Sequence, residues 1–80
     1  MARLSQRAQK DLADLPKELR EKALEIISRL DGEPALGKKL LGALAGKRSA
    51  RLGRSYRIIY QLAEDGPFVL TIRIRRDAYR

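Results

Sequence analysis

An α+β fold in two layers, an N-terminal αα-hairpin packed on a small antiparallel sheet, is predicted by three features of this sequence. Residues 4–30 carry apolar side chains at helical spacing. Tyr56-Arg57-Ile58-Ile59-Tyr60-Gln61-Leu62 is filled with aromatic and β-branched residues and holds no Gly or Pro, so it reads as a strand. A second such run, Phe68-Val69-Leu70-Thr71-Ile72-Arg73-Ile74-Arg75, follows after the turn-rich Ala63-Glu64-Asp65-Gly66-Pro67 and makes the pair an antiparallel hairpin. Helices followed by strands, without alternation, are the signature of a helical layer on one sheet face.

Met1-Ala2-Arg3-Leu4 has room for only a short edge strand. Ser5 suits a helix N-cap, and Leu4, Ala8, Leu12 and Leu15 share one helical face. Pro16 suits the first position of a second helix. Leu19, Ala23, Ile26, Ile27 and Leu30 give that helix its apolar stripe. Glu18 with Lys22, and Glu25 with Arg29, have the spacing of i,i+4 pairs on the wet side. Asp31-Gly32-Glu33-Pro34 ends the helix, with Gly32 expected as a left-handed cap and Pro34 barring continuation. The tight connection makes the two helices an antiparallel hairpin. Residues 35–46 fit two descriptions: a short helix lined by Leu36, Leu40, Leu41 and Leu44, or a loop with one helical turn, because Gly37, Gly42 and Gly46 weaken the helix.

Residues 48–52 read as a further strand leading into Gly53-Arg54-Ser55. A three-residue turn there places Arg51 opposite Arg57. Pairing Leu62 with Phe68 in the hairpin sets Tyr60 against Leu70, Ile58 against Ile72, Tyr56 against Ile74, and Arg57 against Arg73. Because side chains alternate, Ala50, Leu52, Tyr56, Ile58, Tyr60, Phe68, Leu70, Ile72 and Ile74 are expected to face the helices. Arg57, Ile59, Gln61, Val69, Thr71, Arg73 and Arg75 are expected on the opposite, solvent-facing side. Like charges directly across a ladder are destabilising. Arg51, Arg57 and Arg73 abreast on three strands therefore suggest a surface built to meet an anion.

The charge supports this reading. Eighty residues carry 18 Lys and Arg against 10 Asp and Glu, a net +8. The excess is concentrated in residues 47–80, where all but one of the cations are Arg, the residue suited to bidentate phosphate contacts. A nucleic acid or an acidic protein partner fits; the alternative is a solvated basic surface. With no Cys, disulfide and thiol chemistry are excluded, and with no His the commonest general base and transition-metal ligand are missing. No cofactor or metal is expected. No apolar run approaches the ~20 residues a membrane span needs, and no signal-peptide pattern is visible. A single cytoplasmic domain over residues 1–80 is the simplest expectation. A chain this short buries only about 60% of its unfolded surface, so its core is thin.

Three stretches together resemble the RelE/ParE superfamily of toxins from toxin–antitoxin pairs. Ala8-Gln9-Lys10-Asp11-Leu12 through Leu15-Pro16-Lys17-Glu18-Leu19-Arg20 looks like the family's first helix and the start of its second. Gly53-Arg54-Ser55-Tyr56-Arg57-Ile58-Ile59-Tyr60 looks like its G-x-Y-R-i-i-Y strand, and Ile74-Arg75-Arg76-Asp77-Ala78-Tyr79-Arg80 like its terminal H-R-x-x-x-Y-R. The resemblance implies the microbial-ribonuclease type of fold and two activities. RelE-like members enter the ribosomal A site and cleave mRNA without a metal, whereas ParE-like members inhibit DNA gyrase and are not nucleases. It also implies a cognate antitoxin, and a thin core beside a basic groove suits an acidic, amphipathic segment that folds on binding.

The resemblance makes this chain a ribosome-dependent endoribonuclease, with a gyrase inhibitor or a non-catalytic RNA-binding module as the alternatives. It assigns Arg57 to the scissile phosphate, and Arg73 and Arg75 to the strand that carries the transition-state arginine. It assigns Tyr79 to stacking on a base or assisting proton transfer; the alternative for Tyr79 is a lid on the core. Lys47, Arg48, Arg51, Arg54 and Arg76 are expected to contact mRNA or ribosomal RNA. Two departures matter. Ile74 replaces the histidine that many members carry, which puts histidine acid–base chemistry out of reach. The turn at Gly53-Arg54-Ser55 is one residue longer than is usual. Tyr56 and Tyr60 read as structural, and Glu64 and Asp65 as turn residues.

Overall fold

The structure, a computed structural model, describes residues 2–74. A short strand β1 (Arg3–Leu4) leads into helix α1 (Gln6–Asp14) and helix α2 (Lys17–Leu30). Strands β2 (Lys38–Lys39), β3 (Lys47–Leu52), β4 (Tyr56–Ala63) and β5 (Gly66–Ile74) follow, with one 3₁₀ turn at Gly42–Leu44 between the first two. The sheet has five strands in the order β1-β5-β4-β3-β2. All neighbours are antiparallel except β1, which runs parallel to β5 with Arg3 beside Phe68 and Leu4 beside Val69. The short N-terminal strand and the loop with one helical turn are as the sequence suggests. The edge strand β2 was not foreseen, because two lysines carry no strand pattern.

Ser5 caps α1: its Oγ accepts from the Ala8 N–H at 3.0 Å and donates to the Leu70 carbonyl at 2.6 Å, fixing the helix to β5 at the point where β1 stops. Pro16 sits at the N-cap of α2, one place earlier than expected, because its ψ of 150° leaves it extended. Arg29 pairs with Glu33 at 3.5 Å, where the sequence suggested Glu25. Gly32 is not left-handed, since the positive φ values belong to Gly42, Gly46, Gly53 and Gly66. Asp31 keeps helical angles and the Glu33 N–H bonds back to the Arg29 carbonyl at 2.9 Å, so the helix tightens into a turn instead of reversing.

The helices cover one face of the sheet, α1 over β5 and α2 over β3. Ala8, Leu15, Ala23, Ile27 and Leu30 meet Ala50, Leu52, Ile58, Tyr60, Val69 and Ile72 in the core. Val69 stands where Phe68 and Leu70 were expected. The β4–β5 turn is only Glu64-Asp65, which pairs Ala63 with Gly66 and Leu62 with Pro67, and a bulge between Ile59 and Tyr60 then leaves Leu70 unpaired. A bulge moves side chains across the sheet, so Phe68 lies half-buried at the edge with the Arg3 guanidinium 5.2 Å from its ring centre. Ile74, expected to face the helices, is 42% exposed and lines an open depression beside the end of α1.

Candidate functional site

The cation row forms as the turn chemistry dictates. Gly53 takes a φ of +63°, which an L side chain rarely adopts, and closes a three-residue turn that pairs Leu52 with Tyr56. That pairing puts Arg51 opposite Arg57. Beyond the bulge, Arg57 also faces Arg73. The three arginines therefore stand abreast on β3, β4 and β5.

The face around them is not uniformly open, contrary to expectation. Arg57 is 6% exposed and lies among buried Ile59 and Ser49, whereas Arg51 and Arg73 are exposed. The Arg57 Nη1 donates to the Tyr56 carbonyl at 3.0 Å. Ion pairs among the described residues join Arg3 to Asp65, Arg7 to Asp11 and Arg29 to Glu33, and none involves the row. Arginine is almost never fully buried without a partner, and a charge taken from water is costly unless it is compensated. A buried guanidinium with no carboxylate among the described residues is a site that gains from an arriving anion.

Arg51 and Arg57 line an open cleft of about 520 Å³ between α2 and the β2–β3 edge. Ile26, Leu36 and Ala50 supply its apolar part, Arg29 and Lys38 add two further cations, and no carboxylate lines it among the described residues. Arg73 opens elsewhere, into a smaller depression of about 250 Å³ against α1, with Arg7, Asp11 and Tyr56. The row is thus continuous in the ladder but divided between two clefts. Lys47 and Arg48 line a third depression of about 390 Å³ with Lys39 and Leu62. Arg48 is partly committed to the fold, its Nη1 donating to the Gly37 carbonyl at 2.9 Å. Arg54 is exposed in the β3–β4 turn. Arg75, Arg76 and Tyr79 lie outside the described residues.

Tyr60 is structural. Its hydroxyl accepts from the Gly37 N–H at 2.7 Å and donates to the Pro34 carbonyl at 2.8 Å, tying the α2–β2 connection to the sheet. Gly37 is required by that approach, since a Cβ there would lie 2.7 Å from the Tyr60 ring. Sequence reasoning missed Arg29 and Lys38. Each reads as an ordinary surface cation, and only the packing of α2 over β3 brings them to the cleft. It also missed Asp11, whose Oδ2 accepts from the Thr71 hydroxyl at 2.6 Å and the Ile72 N–H at 3.1 Å. Among the described residues no group of acidic side chains gathers as a metal site, and no helix is long and apolar enough to cross a membrane.

Residues 2–79 match the family described as the ParE toxin of the type II toxin–antitoxin system parDE. The chain belongs to this toxin family, within the RelE/ParE superfamily. The toxin is similar to a chain of the RelBE2 toxin–antitoxin complex from Mycobacterium tuberculosis, at 32% identity over 94% of this chain and 96% of that one, with a TM-score of 0.82. It shares its fold with the YoeB–YefM complex from Staphylococcus aureus, at 20% identity over 94% and 95% of the two chains and a TM-score of 0.79. The same holds for a YoeB/ParE toxin from Agrobacterium tumefaciens, at 22% identity over 92% and 96% and a TM-score of 0.79. No curated protein matches the chain.

Proposed function

We propose that this toxin is a metal-independent endoribonuclease that cleaves mRNA in the ribosomal A site, and that a cognate antitoxin restrains it. The observation that carries the reading is the buried Arg57, flanked by Arg51 and Arg73 and lining a cleft to which the described residues bring cations and no carboxylate. A row of like charges works against the ladder that holds it, and a phosphodiester backbone is the ligand that compensates it along its length. In the cleavage step the ribose 2′-oxygen attacks phosphorus and the bond to the 5′-oxygen breaks. One proton leaves the 2′-hydroxyl and one reaches the 5′-oxygen, giving a 2′,3′-cyclic phosphate and a 5′-hydroxyl. Arg57, buried and bonded to the Tyr56 carbonyl, stabilises the charge that gathers on the phosphorane from a position fixed before the reaction, and Arg73, exposed on the next strand, contributes a second cation. Arginine stays protonated and is a poor base, so the proton transfers fall to Tyr79. Arg75 joins the phosphate contacts, and Lys47, Arg48, Arg51, Arg54 and Arg76 hold mRNA and ribosomal RNA. Action on ribosomes places the toxin in the cytoplasm.

The antitoxin reading rests on the family and on relatives seen as toxin–antitoxin complexes. An acidic amphipathic segment meets both the cations and the apolar floor of the main cleft.

Primer extension on an mRNA in a translating-ribosome mixture, with the same RNA free of ribosomes beside it, tests the reading. Wild type is expected to cut only on ribosomes, and Arg57→Ala to cut at least about 100-fold more slowly, the loss typical of one preorganised donor. Tyr79→Phe separates a proton shuttle, which needs the hydroxyl, from a stacking platform, which does not; unchanged cutting by Tyr79→Ala would remove both roles. Gyrase inhibition, the activity that the resemblance gives to ParE-like members, is the alternative that the same experiment separates. Absent cutting together with inhibited DNA supercoiling would establish it.

A further inference from the structure

The side chains that lead into Arg73 form a chain of contacts across the seam between α1 and β5. Asp11 on α1 holds three donors: the Arg7 Nε at 3.2 Å on Oδ1, and the Thr71 hydroxyl at 2.6 Å and the Ile72 N–H at 3.1 Å on Oδ2. The Asp11 side chain is 14% exposed. Thr71 and Arg73 are two residues apart on β5 and so lie on one face. The Thr71 Oγ1 accepts from the Arg73 Nε at 3.3 Å.

The chemistry gives this chain a direction. An ionised carboxylate only accepts, and a hydroxyl has one proton to give. With that proton committed to Asp11, Thr71 offers Arg73 lone pairs alone. The Arg73 Nε donates to it, and the four N–H bonds on the two terminal nitrogens remain available. Those are the donors that grip a phosphate bidentately. Bonding through Nε also removes rotamers from a long, exposed side chain before substrate arrives, and such ordering otherwise costs about 0.5–1.5 kcal/mol on binding.

We infer that Asp11 and Thr71 are positioning residues for Arg73: the Asp11–Thr71 pair on the α1–β5 seam aims the guanidinium so that its terminal nitrogens face the substrate phosphate. The inference deepens the nuclease reading and rests on it for the identity of the substrate.

Two arms test it. The first needs no activity. In Thr71→Val, which keeps the shape but not the hydroxyl, the Arg73 Nε–H is expected to exchange with solvent faster by NMR than in wild type, while Thr71→Ser keeps the wild-type rate. Equal exchange in wild type and Thr71→Val overturns the inference whatever cleavage does. The second arm is a double-mutant cycle on ribosomes. Thr71→Val is expected to slow single-turnover cleavage at sub-saturating ribosomes by about 2- to 12-fold, the fold-change equivalent of that ordering cost. It is expected to add nothing in an Arg73→Ala background. A further slowing of the same size in Arg73→Ala means that Thr71 acts otherwise and overturns the inference. A wild type that cuts nothing counts against the nuclease reading alone, and the exchange arm still decides the positioning.

Discussion

Replacing Arg57 with Met should make the toxin more stable and inactive. The side chains are similar in length, so no cavity opens. What changes is charge. Arg57 stands opposite Arg51 and Arg73 in the ladder and is 6% exposed. With guanidinium groups roughly 6–8 Å apart and an effective dielectric of about 40–80, each repulsion costs about 0.5–1.4 kcal/mol. Met removes two of these and the desolvation of a cation. It forfeits the charged bond to the Tyr56 carbonyl, about 1.5–3 kcal/mol, which roughly offsets the two repulsions and leaves the relieved desolvation as the net term. The balance is a gain of about 1 kcal/mol, or about 4–8 °C in Tm for a domain of this size. Thermal unfolding followed by circular dichroism, at about 0.01 M and about 1 M salt, measures it. Screening lengths of about 30 Å and about 3 Å at those salts mean that the gain should shrink at high salt. A lower Tm in Arg57→Met at low salt, or a gain indifferent to salt, would refute the reasoning.

Four further outcomes follow from particular residues. Tyr60→Phe strands the Gly37 N–H and the Pro34 carbonyl and should cost about 1–3 kcal/mol in urea unfolding; Gly37→Ala should cost a similar about 1–3 kcal/mol, because its Cβ would meet the Tyr60 ring at 2.7 Å. Ser5→Ala loses both the N-cap of α1 and the bond to Leu70, so a drop of about 1–2 kcal/mol is expected by the same measurement. Arg51→Ala and Arg54→Ala should each lower the salt slope of binding to a single-stranded RNA oligonucleotide by about 1, as the loss of one phosphate contact does; an unchanged slope would remove that residue from the interface.

The arginine row was legible because it depends on local rules. Gly53-Arg54-Ser55 fixes the β3–β4 register, and the period of two carries it to Arg51 and Arg57. The helices were legible from the stripe through Ala8, Ala23, Ile27 and Leu30, and the Ser5 cap from residue type alone. What the sequence hid is non-local. Gly66-Pro67 reads as turn punctuation, yet Pro67 serves as a strand residue opposite Leu62, where the start of a strand tolerates a missing N–H. The burial of Arg57 depends on packing, which alternation cannot weigh. The Asp11–Thr71 contact spans 60 positions of chain, and Asp11 looks like any wet-face helix residue until α1 is laid on β5.

The bulge at Leu70 decides whether there is a row at all. From the turn, the pairing runs Ala63 with Gly66, Leu62 with Pro67, Gln61 with Phe68 and Tyr60 with Val69. Continued without interruption, that register would set Arg57 opposite Ile72 and turn Arg73 toward the helices, since a one-residue slip moves every side chain to the other face. The unpaired Leu70 shifts the count by one, so that Ile72 returns to the core and Arg73 comes level with Arg57. The irregularity is held in place locally, because the Leu70 carbonyl takes the Ser5 hydroxyl and the Val69 carbonyl takes the Ser5 N–H at 2.9 Å. One residue on α1's cap thus anchors the bulge, and the bulge in turn brings the last strand's arginine to the face where Arg57 waits. The geometry of the cations is set from the helical layer through this seam as much as from the strands that carry them.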